Sequence, residues 1–128
     1  YRKALQIQPS NAIAAINFAY LLLQSGGNVD VALSAAQTAR QVLPDSPNTA
    51  DTLAWAYYHK GIYTLARDLL EEALRTAPTN PTLHFHLGMV YARLANKPQS
   101  ALHLKRVLAL APNSTVAQQA SQALKAVS

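Results

Sequence analysis

The chain has 128 residues, of which 50% are hydrophobic and 13% are charged, and its formal net charge is +5. This length suits one domain, and the apolar content suffices for a packed core, unlike that of a disordered segment. Because there is no cysteine, disulfides, thiolate metal sites and cysteine nucleophiles are excluded. No apolar run approaches the roughly 20 residues of a membrane-spanning helix, and no signal peptide is recognisable. The compartment stays open, since cytoplasm and periplasm both fit.

Four prolines divide the chain at a regular interval. Pro9, Pro44, Pro78 and Pro112 are spaced 35, 34 and 34 residues apart, and each ends an apolar phrase and precedes polar residues. Proline lacks the amide proton that a continuing helix needs, so each predicts a helix end. The Asn, Ser or Thr residues that follow can cap the next helix.

Each interval breaks once more near its middle, at 26–28, 60–61 and 96–98. Two helices per interval are therefore expected, joined by short turns. In chain order, helices are predicted at about 12–25, 30–43, 47–60, 63–77, 81–95, 99–111 and 115–126. Pro47 and Pro81 suit the first helical position of their helices.

The apolar spacing also indicates helices. Ala50, Leu53, Ala54 and Tyr57 lie at i, i+3, i+4 and i+7, which is one face of a helix. The next interval repeats the arrangement, with the small residue Gly88 at the place of Ala54. Small residues at these positions let two helices approach closely. The sequence therefore predicts an all-α protein built from helical hairpins.

The segment Leu87-Gly88-x2-Tyr91, with Leu104 and Pro112 after it, resembles the signature of tetratricopeptide repeats. The preceding intervals carry weaker versions, Leu53-Ala54-x2-Tyr57 with Ala66, Leu70 and Pro78, and Phe18-Ala19-x2-Leu22 with Ala32, Ala36 and Pro44. The sequence departs from the family where His84 and Ala50 replace a frequent tryptophan and Ser100 replaces alanine.

The resemblance implies an α-solenoid, a right-handed superhelix of stacked antiparallel helix-turn-helix repeats, within a single domain 1–128. Its expected parts are the end of a preceding repeat (1–11), three repeats (12–46, 47–80 and 81–114) and a C-terminal capping helix (115–128). The capping helix is alanine- and glutamine-rich and lacks the Leu-Gly-x2-Tyr signature. We therefore expect the chain to be the C-terminal portion of a longer array.

No set of side chains indicates catalysis. The carboxylates show no opposed pair, and Glu71 with Arg75 is a helical i, i+4 ion pair. His84 and His86 are two residues apart on a helix and point in different directions, whereas zinc ligands there need i, i+4 spacing. Glycine-rich phosphate loops are absent. We expect no enzyme activity, no cofactor and no metal.

In the family that the chain resembles, the first helix of each hairpin lines a concave surface that holds a partner. The expected partner-binding residues are Ile16, Asn17, Tyr20, Trp55, Tyr58, His59, Phe85, His86, Met89 and Arg93. Tyr20, Trp55 and Met89 occupy equivalent places in successive hairpins, which predicts a line of apolar anchors. The alternative is that these side chains pack against neighbouring helices or upstream repeats.

The same positions argue against a clamp for acidic chaperone peptides. Such clamps use Lys, Asn and Arg on the concave face, where this chain has Ile16, Tyr20, Thr52, Thr82 and His86. Asn17 and Arg93 are the two polar side chains of the required kind. A carboxylate clamp is therefore disfavoured.

The leading hypothesis is a protein-interaction scaffold that binds a peptide or helix of a partner, resembling bacterial multi-repeat proteins, by analogy those of envelope or secretion assembly. One alternative is binding of nucleic acid or another polyanion, although the basic residues are spread rather than clustered. Another is the substrate-recruiting part of a larger enzyme. Self-association is a further alternative, because exposed apolar faces promote it.

Overall fold

The computed structural model describes residues 9–127, which form seven α-helices and, within that range, no strand. They are α1 (Pro9–Gln24), α2 (Val29–Val42), α3 (Pro47–Lys60), α4 (Tyr63–Thr76), α5 (Pro81–Arg93), α6 (Lys97–Leu110) and α7 (Thr115–Val127). The all-α prediction is confirmed, and every predicted helix is present. The largest difference in bounds is at α1, which begins at Pro9 because a proline needs no hydrogen-bonded amide in the first turn.

Asparagine side chains start three of the helices. Asn28 accepts from the amide of Val31 at 3.1 Å, and Asn96 accepts from that of Gln99 at 3.3 Å. Asn80 accepts two amide hydrogen bonds, at 2.9 and 3.3 Å, which precede a proline-led first turn. These bonds satisfy amides that have no partner within the helix, so the polar residues stop one helix and start the next.

The start of α3 is capped differently. Ser46 makes no side-chain cap bond, and instead the Thr49 hydroxyl donates to the carbonyl oxygens of Leu43 at 2.8 Å and Ser46 at 3.0 Å. Thr49 is fully buried. The turn before α3 is therefore fixed from inside the helix rather than from the cap position.

The chain divides into two compact units, unit 1 ending at Ile62 and unit 2 beginning at Tyr63. The boundary lies between the two helices of the predicted repeat 47–80, so the predicted repeat bounds remain expectations. The part of the expected preceding repeat before Pro9 lies outside the described residues. No helix within residues 9–127 is long and apolar enough to cross a bilayer.

Unit 1 contains α1, α2 and α3, with α1 packed on α2 and α3 packed on both. Its core is rich in alanine, and the buried side chains of α1 and α2 are Ala12, Ile16, Ala19, Leu23, Ala32, Ala36 and Ala39. Alanine at these positions brings the helix backbones close together, since no long side chain separates them. This packing places one face of α3 beside α1.

Unit 2 contains α4 to α7 and has a bulkier core. Its largest fully buried side chains include Leu70, Leu83, Leu87, Leu104 and Val107. The helices α5 and α6 approach closely at Gly88, where a β-carbon would lie 2.8 Å from the Cγ of Leu104. The Ser100 hydroxyl donates to the Gly88 carbonyl at 2.8 Å. Serine at 100 thus has a buried hydrogen-bonding role that the family's alanine lacks.

Candidate functional site

Three ring side chains on the last two turns of α3 form what we call the α3 aromatic cluster: Trp55, Tyr58 and His59. The rings of Trp55 and Tyr58 are stacked, with centroids 4.4 Å apart and planes 6° apart. His59 stands edge-on to Trp55 at 5.0 Å and to Tyr58 at 5.4 Å. Tyr58 is 9% exposed, Trp55 is half-buried and His59 is exposed. The cluster is therefore anchored on one side and open on the other.

Tyr20 of α1 lies near Asp51, which precedes Trp55 by one turn of α3. Burial raises the pKa of the Tyr20 hydroxyl, the Asp51 carboxylate raises it further, and a hydrogen bond with Gln24 opposes the change. Asp51 and Trp55 are four residues apart and so share a face of α3. Unit 1 thus brings Tyr20, one carboxylate and the α3 aromatic cluster onto neighbouring helices.

The other two candidates in unit 1 differ in exposure. Ile16 is 9% exposed and packs against Ala12 and Ala39. Asn17 is exposed. Ile16 therefore stabilises the α1–α2 packing, and only a small part of its surface is available to a partner.

The four candidates in unit 2 also divide by burial. Phe85 packs against the α6–α7 core, and its ring lies 5.7 Å from that of His86, which is 1% exposed. Met89 is half-buried and Arg93 is exposed. Met89 belongs to unit 2 whereas Tyr20 and Trp55 belong to unit 1, so the line through all three stays a prediction.

Sequence analysis missed a second group of polar side chains, within unit 2, which we call the unit 2 polar cluster: Glu71, His84, Tyr91 and His103. The Tyr91 hydroxyl donates to the Glu71 carboxylate, and Nδ1 of His84 lies 2.9 Å from Nδ1 of His103. The repeat interval carries a signal for part of it. Glu71 and Tyr91 each lie 34 residues after Gln37 and Tyr57, which are hydrogen-bonded at 3.4 Å.

Within the described range, no three His, Asp or Glu side chains are grouped so that they could hold a metal ion. The α3 aromatic cluster offers ring faces and edges rather than a nucleophile with a base. Its available chemistry is apolar contact, ring stacking and cation–π attraction, with Asp51 nearby as an acceptor.

Among curated proteins, the chain is 29% identical over 107 residues to bacteriophage adsorption protein A of Escherichia coli K12. The match covers 83% of this chain but only 10% of that relative.

Solved structures share the fold. A mutant O-GlcNAc transferase of Thermobaculum terrenum aligns at a TM-score of 0.84 and 23% identity, over 95% of this chain and 23% of that one. The first tetratricopeptide repeat domain of Spaghetti (RPAP3), bound to the HSP90 peptide SRMEEVD, aligns at 0.79 and 17% identity, over 94% and 93% of the two chains. At these identities the structures show the fold alone.

The family model of the tetratricopeptide repeat matches residues 16–81 and 52–115. These two overlapping matches cover most of the helices described above and agree with the 34-residue interval of the prolines. The seven helices and the solved structures of the same fold identify an all-α helical-repeat solenoid. The chain belongs to the tetratricopeptide repeat family.

Proposed function

We propose that this chain is a protein-interaction scaffold that binds a peptide or helical segment of a partner through the α3 aromatic cluster. The observation that carries the proposal is the half-buried Trp55, whose ring is stacked on the buried Tyr58. A ring held in place by its neighbour loses little conformational freedom on binding, which favours its use as an anchor. Tryptophan and tyrosine are also the residues most enriched among binding hot spots.

The surroundings of the cluster favour an apolar segment with a basic residue. Asp51 lies one turn before Trp55, and the ring faces of Trp55 and Tyr58 attract cations. An apolar anchor on the partner would bury Trp55 further, while a Lys or Arg beside it would approach the Asp51 carboxylate. An acidic peptide is disfavoured for the same reason.

The solved neighbours support peptide binding as a use of this fold. The Spaghetti (RPAP3) domain is bound to the HSP90 peptide SRMEEVD, an acidic sequence. This chain places Thr52 and Thr82 where clamps for such peptides use basic or amide side chains, and Thr52 is buried. We therefore propose the same kind of module with a different peptide chemistry.

The module is proposed to serve a longer protein. The chain spans about one tenth of the E. coli relative, and the O-GlcNAc transferase is an enzyme that contains the same fold. Tetratricopeptide repeats are in general non-catalytic, so recruitment is the role proposed here even if the parent protein is an enzyme.

Trp55 is the one tryptophan of the chain, so its fluorescence reports binding at the site directly. Peptides would be selected from a random library displayed on phage, then titrated against the protein while tryptophan emission is recorded. Selected peptides are expected to be apolar with a basic residue and to change the emission. Replacing Trp55 with Ala should weaken their binding, measured by calorimetry, by about 2 kcal/mol, or roughly 30-fold.

The matched control is Leu102→Ala, which removes an exposed apolar side chain of α6 (58% exposed) outside the candidate set. It should change binding by less than about 0.5 kcal/mol. Circular dichroism must show that both variants keep their helicity. Equal binding by folded Trp55→Ala and wild-type protein would contradict the proposal.

A further inference from the structure

The unit 2 polar cluster links three helices through groups that the proposed function does not use. The Nδ1 atoms of His84 in α5 and His103 in α6 are 2.9 Å apart. The Nε2 atom of His84 lies 2.8 Å from the carbonyl oxygen of Pro78. On the other side of His103, the Tyr91 ring is stacked at 5.8 Å, and the Tyr91 hydroxyl bonds the Glu71 carboxylate of α4.

These contacts determine where the protons are. A carbonyl oxygen only accepts, so Nε2 of His84 must carry a proton to bond Pro78. In a neutral His84, Nδ1 is then an acceptor, and Nδ1 of His103 must donate to it. One added proton can be accommodated on His84 if His103 accepts instead. A second added proton cannot, because both Nδ1 atoms would be donors facing each other.

The geometry indicates a hydrogen bond rather than a metal chelate. The ring centroids of His84 and His103 are 5.2 Å apart and the planes differ by 26°. This separation is that of two nearly coplanar rings whose nitrogen atoms point at each other. Metal ligands would instead direct their lone pairs toward a common point beside the line that joins them.

We propose that the His84–His103 hydrogen bond is an acid-sensitive latch that holds α6 against α5 and releases when the pair binds its second proton. The equivalent positions of unit 1 are occupied by Ala15 and Ala35, which cannot titrate. The response to acid is therefore confined to the α5–α6 contact of unit 2.

The surroundings of the latch favour release within a physiological range of acidity. Burial lowers the pKa of His103, the neighbouring His84 lowers it further, and the Glu71 carboxylate opposes both. The other charged side chains on the elements packed against the pair are Arg67, Asp68, Glu72 and Arg75 on α4, Arg93 on α5, and Lys125 on α7, with Lys97, Lys105 and Arg106 on α6 itself. Among them, Arg67 and Asp68 are paired with each other at 3.1 Å.

The direction of the effect follows from where the protons bind. An unfolded histidine binds its proton near pH 6.5, whereas folded His103 binds it only at lower pH. The stability that the latch contributes is therefore fully present above about pH 6.5, and it is lost as the pH falls from there through the lowered pKa. Acid loosens α6.

Hydrogen exchange measured by mass spectrometry on the whole chain tests the latch, from about pH 8 to about pH 5.5. After correction for intrinsic exchange rates, amide protection in α6 should fall about tenfold more than in α2, the size expected for one lost hydrogen bond. In His103→Asn, the Asn Nδ2 amide donates from the place of Nδ1 and does not titrate, so this extra loss should disappear. The matched control His59→Asn removes an imidazole of unit 1 and should retain it.

Equal loss of protection in α2 and α6 of the wild type would overturn the proposal, as would an unchanged acid response in His103→Asn. If that variant does not fold, the wild-type protein still decides the question through ¹⁵N NMR of its imidazoles. At the alkaline end, the proton of His84 must be on Nε2 and that of His103 on Nδ1. The opposite tautomers would overturn the latch.

Discussion

The hairpin α1–α2 of unit 1 and the hairpin α5–α6 of unit 2 are built on the same repeat but close their seams differently. In α1–α2 the repeat positions at closest approach hold Ala19 and Ala36, both fully buried. In α5–α6 the equivalent positions hold Gly88 and Leu104, whose side chain lies directly over the glycine. Two medium-sized contributions are replaced by a very small one and a large one. The family pattern thus constrains the summed volume of the seam rather than the residue at each place.

Polar contacts differ between the two units in the same way. The pair that joins the second helix of one hairpin to the first helix of the next is Gln37 with Tyr57 in unit 1 and Glu71 with Tyr91 in unit 2. The first is a long, exposed bond between neutral groups, and the second is made by a buried tyrosine to a carboxylate. The same two positions therefore support contacts of different strength.

The largest effect is expected at the Gly88–Leu104 seam. Leu104→Ala should lower the free energy of unfolding by about 2–5 kcal/mol, because it leaves a cavity over Gly88. Gly88→Ala should lower it by roughly 1–2 kcal/mol, because the clash with Leu104 outweighs the gain in helix propensity. The double variant recreates the alanine pair of α1–α2, and its loss should be smaller than the sum by at least about 1 kcal/mol.

Urea unfolding of the four proteins, followed by circular dichroism, measures this coupling. Gly27→Ala is not a suitable control, since a β-carbon there meets Leu22 at 2.8 Å. A substitution at exposed Leu102 serves instead and should be additive with Gly88→Ala. Strict additivity of Gly88→Ala and Leu104→Ala would show that the two hairpins do not share one volume rule.

The features that could be predicted from the sequence are those that repeat. The prolines and the i, i+3, i+4, i+7 pattern gave every helix, and asparagines at the expected places cap α3's neighbours α2 and α5. The candidate site was predictable only as a helix face. That Trp55 stacks on Tyr58, or that His86 is buried, depends on rotamers and on helices distant in sequence. His84 and His103 are 19 residues apart, a separation that no local pattern connects.

A smaller effect is expected at the tyrosines that join successive hairpins. Tyr91→Phe should lower the free energy of unfolding at neutral pH by about 1–2 kcal/mol, because the bond to Glu71 is lost. Tyr57→Phe, its matched control, should change it by less than about 0.5 kcal/mol, because the bond to Gln37 is long and exposed. Unfolding by urea at neutral pH separates the two cases, and equal losses would contradict the comparison.

The same bond gives unit 2 a response to alkali. Burial, followed by the hydrogen bond to Glu71, raises the pKa of Tyr91 to about 12. Since an unfolded tyrosine titrates near pH 10, the stability that this group contributes is fully present below about pH 10 and is lost as the pH rises toward 12. Tyr91→Phe should remove that part of the alkaline loss, and Tyr57→Phe should keep it.

The smallest effect is expected at the turns inside the hairpins. The residue that ends the first helix in a left-handed conformation is Gly61 after α3 (φ +89°) and Ala95 after α5 (φ +61°), 34 residues later. A side chain makes this conformation costly by about 1–2 kcal/mol, part of which glycine loses again through the greater freedom of its unfolded chain. Ala95→Gly should therefore stabilise the protein by about 0.5–1 kcal/mol and raise its Tm by about 2–4 °C.

The reciprocal variant completes the test. A β-carbon on Gly61 would meet no atom within 4 Å, so Gly61→Ala changes only the backbone preference. It should destabilise the protein by about 1 kcal/mol, measured by thermal unfolding beside Ala95→Gly. Opposite signs at the two positions would show that the same turn is strained in unit 2 and relaxed in unit 1. A loss at both positions would instead mean that Ala95 contributes packing that outweighs its backbone strain.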